Sequence, residues 1–156
     1  MFQITCISHG WFGFSLQEKD NAFEISCTNI GEYDVVQELL SAINNMLYGN
    51  LNQAHFFLNH ESYSCLMVLA SNGDTVHIEI EEIIDSTLNL LRASGQASLN
   101  SQCKNLVFVC NVGLFQFAHD IWSEFKKINS TDYCTNWNEY PSEEIKKLDQ
   151  YITHRI

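Results

Sequence analysis

The chain has 156 residues, enough to bury a core, and 46% hydrophobic content, which fits a globular domain and not a disordered one. Nineteen acidic against eight basic residues give a formal net charge of −11, the wrong sign for displacing counterions from nucleic acid or for docking on an anionic membrane. No apolar run is long enough to span a bilayer, and "MFQITCISHGWFGFSLQEKD" lacks the basic-then-apolar order of a signal peptide. A cytoplasmic protein is therefore expected.

Two strand-like runs, 2–8 and 11–17, flank His9-Gly10, a tight-turn pair. Residues 18–21 read as a polar turn, and 22–28 alternates again. The period then changes. Val35, Val36, Leu39, Leu40, Ile43, Met46 and Leu47 fall on one face of a helix that Gly49 is placed to end. Further strands are expected at 54–61, 62–71 and 75–84, and the Asn72-Gly73 pair between the last two suits a hairpin. Asp85 is placed to cap a helix over 85–94, and 95–102 reads as a loop.

"NLVFVCN" (105–111) reads as a compact, buried strand. Asn111 is positioned to cap an amphipathic helix whose apolar face carries Leu114, Phe115, Ala118, Ile121, Trp122 and Phe125. Lys126 and Lys127 would sit at its negative end. Pro141, Glu143 and Glu144 mark the start of a last helix. The pattern predicts one α+β domain over 1–156, a mainly antiparallel sheet of five or six strands packed against amphipathic helices.

Of the six cysteines, Cys6, Cys27, Cys65 and Cys110 lie in apolar strand-like runs, where a free thiol behaves as a small hydrophobe. Cys103 and Cys134 complete the set. No CxxC pair is present, and the Cys103–Cys110 spacing is not a usual zinc spacing. Reduced, structural thiols are expected.

The charge is unevenly placed. Residues 1–91 hold twelve acids and one base, Lys19, whereas 92–156 hold seven of each. Such a field attracts a cationic protein and speeds the encounter. Within it, "DTVHIEIEEIID" (74–85) alternates: Val76, Ile78 and Ile80 face one way, His77, Glu79 and Glu81 the other. Alternate strand residues lie about 7 Å apart, too far for neighbours to chelate one ion unaided. A carboxylate pair at that spacing also needs a pocket and a raised pKa to work as an acid/base couple. Nucleotide-binding, zinc-protease and nucleophile-elbow motifs are all missing. No catalytic residue, metal ligand or cofactor is expected, and the acidic strand is read as surface. A fold-assembled hydrolase or transferase using His and carboxylates is the alternative, and an assembly subunit with an exposed apolar face is another.

"FEISCTNIGEYDVVQELLSAINNMLYG" followed by the "NGDTVHIEI" meander resembles small bacterial immunity-type domains over residues 10–84. These are similar to the cognate inhibitors of contact-dependent growth inhibition and related polymorphic toxins. The resemblance implies an acidic, non-enzymatic, cytosolic protein that neutralises a basic toxin domain, in many cases a C-terminal nuclease. No residue role transfers, so the contact residues come from charge: Glu79, Glu81, Glu82 and Asp85, flanked by Asp74 and Glu61. Trp11, Tyr63 or another aromatic is the expected anchor.

Overall fold

A computed structural model describes residues 1–28, 33–83 and 104–155. Strands β1 (Phe2–Ser8), β2 (Trp11–Glu18) and β3 (Asn21–Thr28) form an antiparallel meander. His9 and Gly10 turn its first corner with φ of 52° and 84°, the sense that matches the twist of paired strands. β1 bulges between Ile4 and Cys6, opposite Gly13. A Cβ there would lie 2.7 Å from Thr5 Oγ1 and 2.9 Å from Cys6 Sγ, so only glycine fits without movement.

Helix α1 (Val35–Leu47) follows, capped by Asp34, whose Oδ1 accepts from the Val36 and Gln37 amides at 2.9 and 3.3 Å. The apolar spacing read from the sequence is the face it buries, with Leu40 and Ile43 fully enclosed. Gly49, at φ 72°, lies just beyond its end.

Strands β4 (Gln53–Asn59), β5 (Ser64–Ser71), β6 (Thr75–Ile83) and β7 (Lys104–Gly113) form a second antiparallel meander. The fold is α+β as expected, but the strands form two sheets, of three and four, not one sheet of five or six. Alternation along a strand sets which side chains share a face and is silent about which edges hydrogen-bond. Here the chain returns from α1 to start a new sheet instead of extending the first.

The two sheets and α1 share a core. Phe12 and Phe14 of β2, Val35, Val36 and Leu39 of α1, and Phe56, Leu58 and Met67 of the larger sheet enclose a void of only about 10 Å³. Phe23 meets Phe108 with ring centroids 6.3 Å apart.

The remaining helices close the other side. α2 (Leu114–Phe125) packs on β1, with Phe117 edge-on to Phe2 at 6.3 Å. Glu124 Oε2 accepts the Ile4 amide at 3.1 Å, beside the bulge. α3 (Ser130–Asn136), which the hydrophobic periodicity does not announce, is capped by Asn129 and delivers Tyr133 and Trp137 onto Phe12. α4 (Ser142–Thr153) joins α2 through Asp149, whose Oδ1 accepts from Trp122 Nε1 at 2.9 Å and from Lys126 at 3.3 Å. Asn111 does not cap α2. The strand runs on to Gly113, the helix starts at Leu114, and Asn111 stays in the sheet.

The five described cysteines are free; Cys27, Cys65 and Cys110 are buried and Cys134 is exposed. Cys103, and the helix and loop expected over 85–102, lie outside the described residues.

Candidate functional site

The larger sheet has one face in the core and another outside it. Val76, Ile78 and Ile80 point inward and are fully enclosed, as the alternation of β6 requires. On the outer face, strand register fixes the neighbours. Gln53, Ala70, His77 and Asn111 form one row across the four strands. His55, Val68, Glu79 and Val109 form the next, and Phe57, Leu66, Glu81 and Leu106 a third.

This face is not a plain acidic ridge. Leu106 is 55% exposed and Val109 40% exposed, and both stand in register with the glutamates. "NLVFVCN" is therefore not a strand buried on both sides. β7 is the last strand of its sheet, and a bulge opposite Ile80 and Glu81 shifts the register so that Leu106 faces out.

His77 joins the strands. Its Nε2 lies 3.0 Å from Glu79 Oε1 and its Nδ1 2.9 Å from Asn111 Oδ1. With the Asn111 amide oxygen turned toward it, the ring meets both contacts as the doubly protonated imidazolium; with the amide nitrogen turned toward it, a neutral ring meets them as well. The bond to Glu79 and then that to Asn111 favour the charged ring and raise its pKa above the ordinary histidine value, against a smaller opposing effect of burial.

The six acidic residues expected to form one surface are placed differently. Glu79 and Glu81 share the outer face. Glu82 does not extend it, because β6 continues through Ile83 and alternation turns Glu82 toward the face of Cys65, its partner in register. There its charge, after desolvation, helps to push the Cys65 thiol up to about 12. Asp74 is exposed at the β5–β6 hairpin, where its carbonyl accepts the Leu114 amide at 2.8 Å. Glu61 is exposed in the β4–β5 turn, at the other end of β5. Asp85 lies outside the described residues.

Trp11 and Tyr63 do meet, through a histidine between them. The His60 ring lies 5.2 Å from Trp11 and stacks on Tyr63 at 4.6 Å. This half-buried trio joins β2 of one sheet to the β4–β5 turn of the other, next in sequence to Glu61.

Two outer-face residues, Leu106 and Val109, were not singled out from the sequence, and Asn111 was read there as a helix cap. The 107–109–111 alternation groups Val109 with Asn111, but the pairing that sets them beside Glu79 and His77 is long-range. Three clefts of about 490, 500 and 510 Å³ lie elsewhere, at Met1–Lys19 with α2, at Asp34 with Asn138–Glu143, and at Tyr48 with Gln150–Arg155. Among the described residues no group of three or more His, Cys, Asp or Glu side chains could hold a metal ion, and no helix is long and apolar enough to cross a membrane.

Comparison with known protein families, with curated proteins and with solved structures found no match.

Proposed function

We propose that this chain is an inhibitor that docks the outer face of its four-stranded sheet on a basic protein domain. In keeping with the resemblance to immunity proteins, that domain is the nuclease of a polymorphic toxin. A nuclease holds phosphates with Lys and Arg, and carboxylates on a partner can occupy the same cations. The observation that carries the reading is Glu79 in register with the exposed Val109, one row from Glu81 and the exposed Leu106. An interface needs apolar contact area with polar groups that fix register, and this face supplies both. The excess of acid over base in residues 1–91 adds long-range attraction.

The test uses the protein encoded immediately beside this one. Cells expressing its terminal domain should die, and co-expression of this chain should rescue them through a stable, salt-sensitive complex. A neighbour that is harmless, or rescue without a complex, overturns the reading.

The exposed Leu106 and Val109 also favour a second reading, an interface between copies of this chain. A concentration-dependent dimer in sedimentation that Val109→Lys abolishes would replace the inhibitor reading.

A further inference from the structure

Glu79 is only half engaged. Oε1 is held by His77, and Oε2 accepts no hydrogen bond from the described residues. The carboxylate is 42% exposed and is flanked in register by Val68 on β5 and the exposed Val109 on β7. We propose that this row takes an arginine side chain of the partner, its stem on Val68 and Val109 and its guanidinium on both oxygens of Glu79, and that the arginine displaces His77 as a neutral ring. The inference rests on the docking reading above and adds the chemistry of one contact and its coupling to protons.

The fit is specific to arginine. Its aliphatic stem covers apolar surface while its head stays polar, and its fork grips a carboxylate at two points. A lysine ammonium would satisfy one oxygen and leave His77 in place.

Proton release follows from charge. A guanidinium on Oε1 sets a second positive charge against the imidazolium and takes over the bond that favoured it, so the ring gives up its proton to solvent and Asn111 rotates its amide to suit the neutral ring. The other groups facing His77 do not substitute for Glu79. Ala70 and Asn111 are its uncharged neighbours on β5 and β7, Gln53 lies beyond on β4, and His55 stands one row away. Asp74 lies at the hairpin before β6.

The experiment titrates the protein with hexa-arginine and hexa-lysine peptides, following backbone amide resonances of β6 and β7 and the His77 ring. Arginine should move Glu79 and Val109 and bind more tightly than lysine. One proton released per complex makes affinity rise about tenfold per pH unit below the His77 pKa and level off above it. His77→Gln should bind hexa-arginine with no such rise, and Glu79→Gln should lose the site. Binding independent of pH in the unmodified protein, an equal slope in His77→Gln, or no shift in β6 and β7 each overturns the proposal. A natural complex that is weakened by Glu79→Lys and yet ignores pH would keep the docking reading and remove the arginine exchange. A natural complex indifferent to Glu79→Lys would remove the docking reading itself.

Discussion

Asn44 of α1 donates its side-chain amide twice to Glu144 of α4, at 2.9 Å to the main-chain carbonyl and at 2.7 Å to carboxylate Oε2. Lys147 Nζ holds the other carboxylate oxygen at 2.7 Å. Glu144 is only 7% exposed, and a carboxylate that far from water needs its partners kept in place. The contact ties the start of the last helix to the end of the first, across a hundred residues of chain.

Asn44→Ala should therefore destabilise the fold by ~1–3 kcal/mol, the usual cost of leaving a buried polar group short of a partner. Glu144→Ala should cost less, because it removes the Oε2 acceptor but leaves the Asn44 amide its bond to the main-chain carbonyl. Because the two residues serve one contact, the double variant should cost less than the sum. Urea unfolding of the four proteins measures this. Strict additivity would mean that the contact contributes nothing.

The buried thiols predict behaviour in alkali. Burial, then the neighbouring Cys65 and Cys6, push Cys27 up to about 12, and burial with Glu82 does the same to Cys65. A thiol whose pKa is raised by folding contributes stability that is complete below its unfolded value near 9 and is lost as pH climbs through the folded value. Stability should thus fall between about pH 9 and pH 12, the unfolded chain losing these protons first. Tyr33, also raised to about 12, adds to the fall. Cys27→Ala with Cys65→Ala should start from a lower stability at pH 8 and decline less steeply. A parallel decline would show that these thiols do not control it.

Reactivity follows from the same burial. At pH 8 iodoacetamide should label exposed Cys134 in the native protein well before Cys27 or Cys65. Peptide mass spectrometry after brief exposure reads the order. Early labelling of Cys27 would contradict its place in the core.

How far the sequence could lead depends on the range of each interaction. The helical face of α1, the inward set Val76, Ile78 and Ile80, and the His9-Gly10 and Asn72-Gly73 turns were all legible, because each is set within a few residues. Pairing between distant strands was not. It makes two sheets where one was expected and puts Asn111 beside His77. It also gives Leu106 and Val109 an outside that a short apolar run does not advertise. Glu82 misled for a different reason. Charge groups it with Glu79 and Glu81, yet alternation along β6 carries Glu82 to the other face. The seven-residue α3, polar but for Tyr133 and Cys134, offers too few turns for periodicity to detect.

The apolar part of the outer face makes a prediction separate from its charge. Leu106→Ser with Val109→Thr should change stability little, since both side chains already meet solvent. Against the toxin domain the same pair should weaken binding about tenfold, corresponding to the ~1.4 kcal/mol expected from lost apolar contact. Calorimetry on the complex and thermal melts on the free protein separate the two effects. An unchanged affinity would confine any docking to the charged groups.

The charge prediction needs a control that the structure itself selects. Glu79→Lys with Glu81→Lys should leave the fold intact, because both positions lie opposite the Val76–Ile78–Ile80 face. Glu144 is unsuitable for comparison, being buried and bound to Asn44. Asp132→Lys with Glu143→Lys makes the same change in net charge at exposed positions of α3 and α4. If the outer face docks on a cationic partner, the β6 pair should weaken the complex by ~2–5 kcal/mol where a carboxylate is desolvated and paired. The control pair should chiefly slow association, through the altered long-range field. Raising the salt should weaken the unmodified complex and narrow the gap in association rate between it and the control, because screening acts first on exposed and distant charges. Stopped-flow association with dissociation kinetics at two ionic strengths resolves these outcomes. Equal losses from both pairs would reduce the outer face to one part of a general acidity, with no docking role of its own.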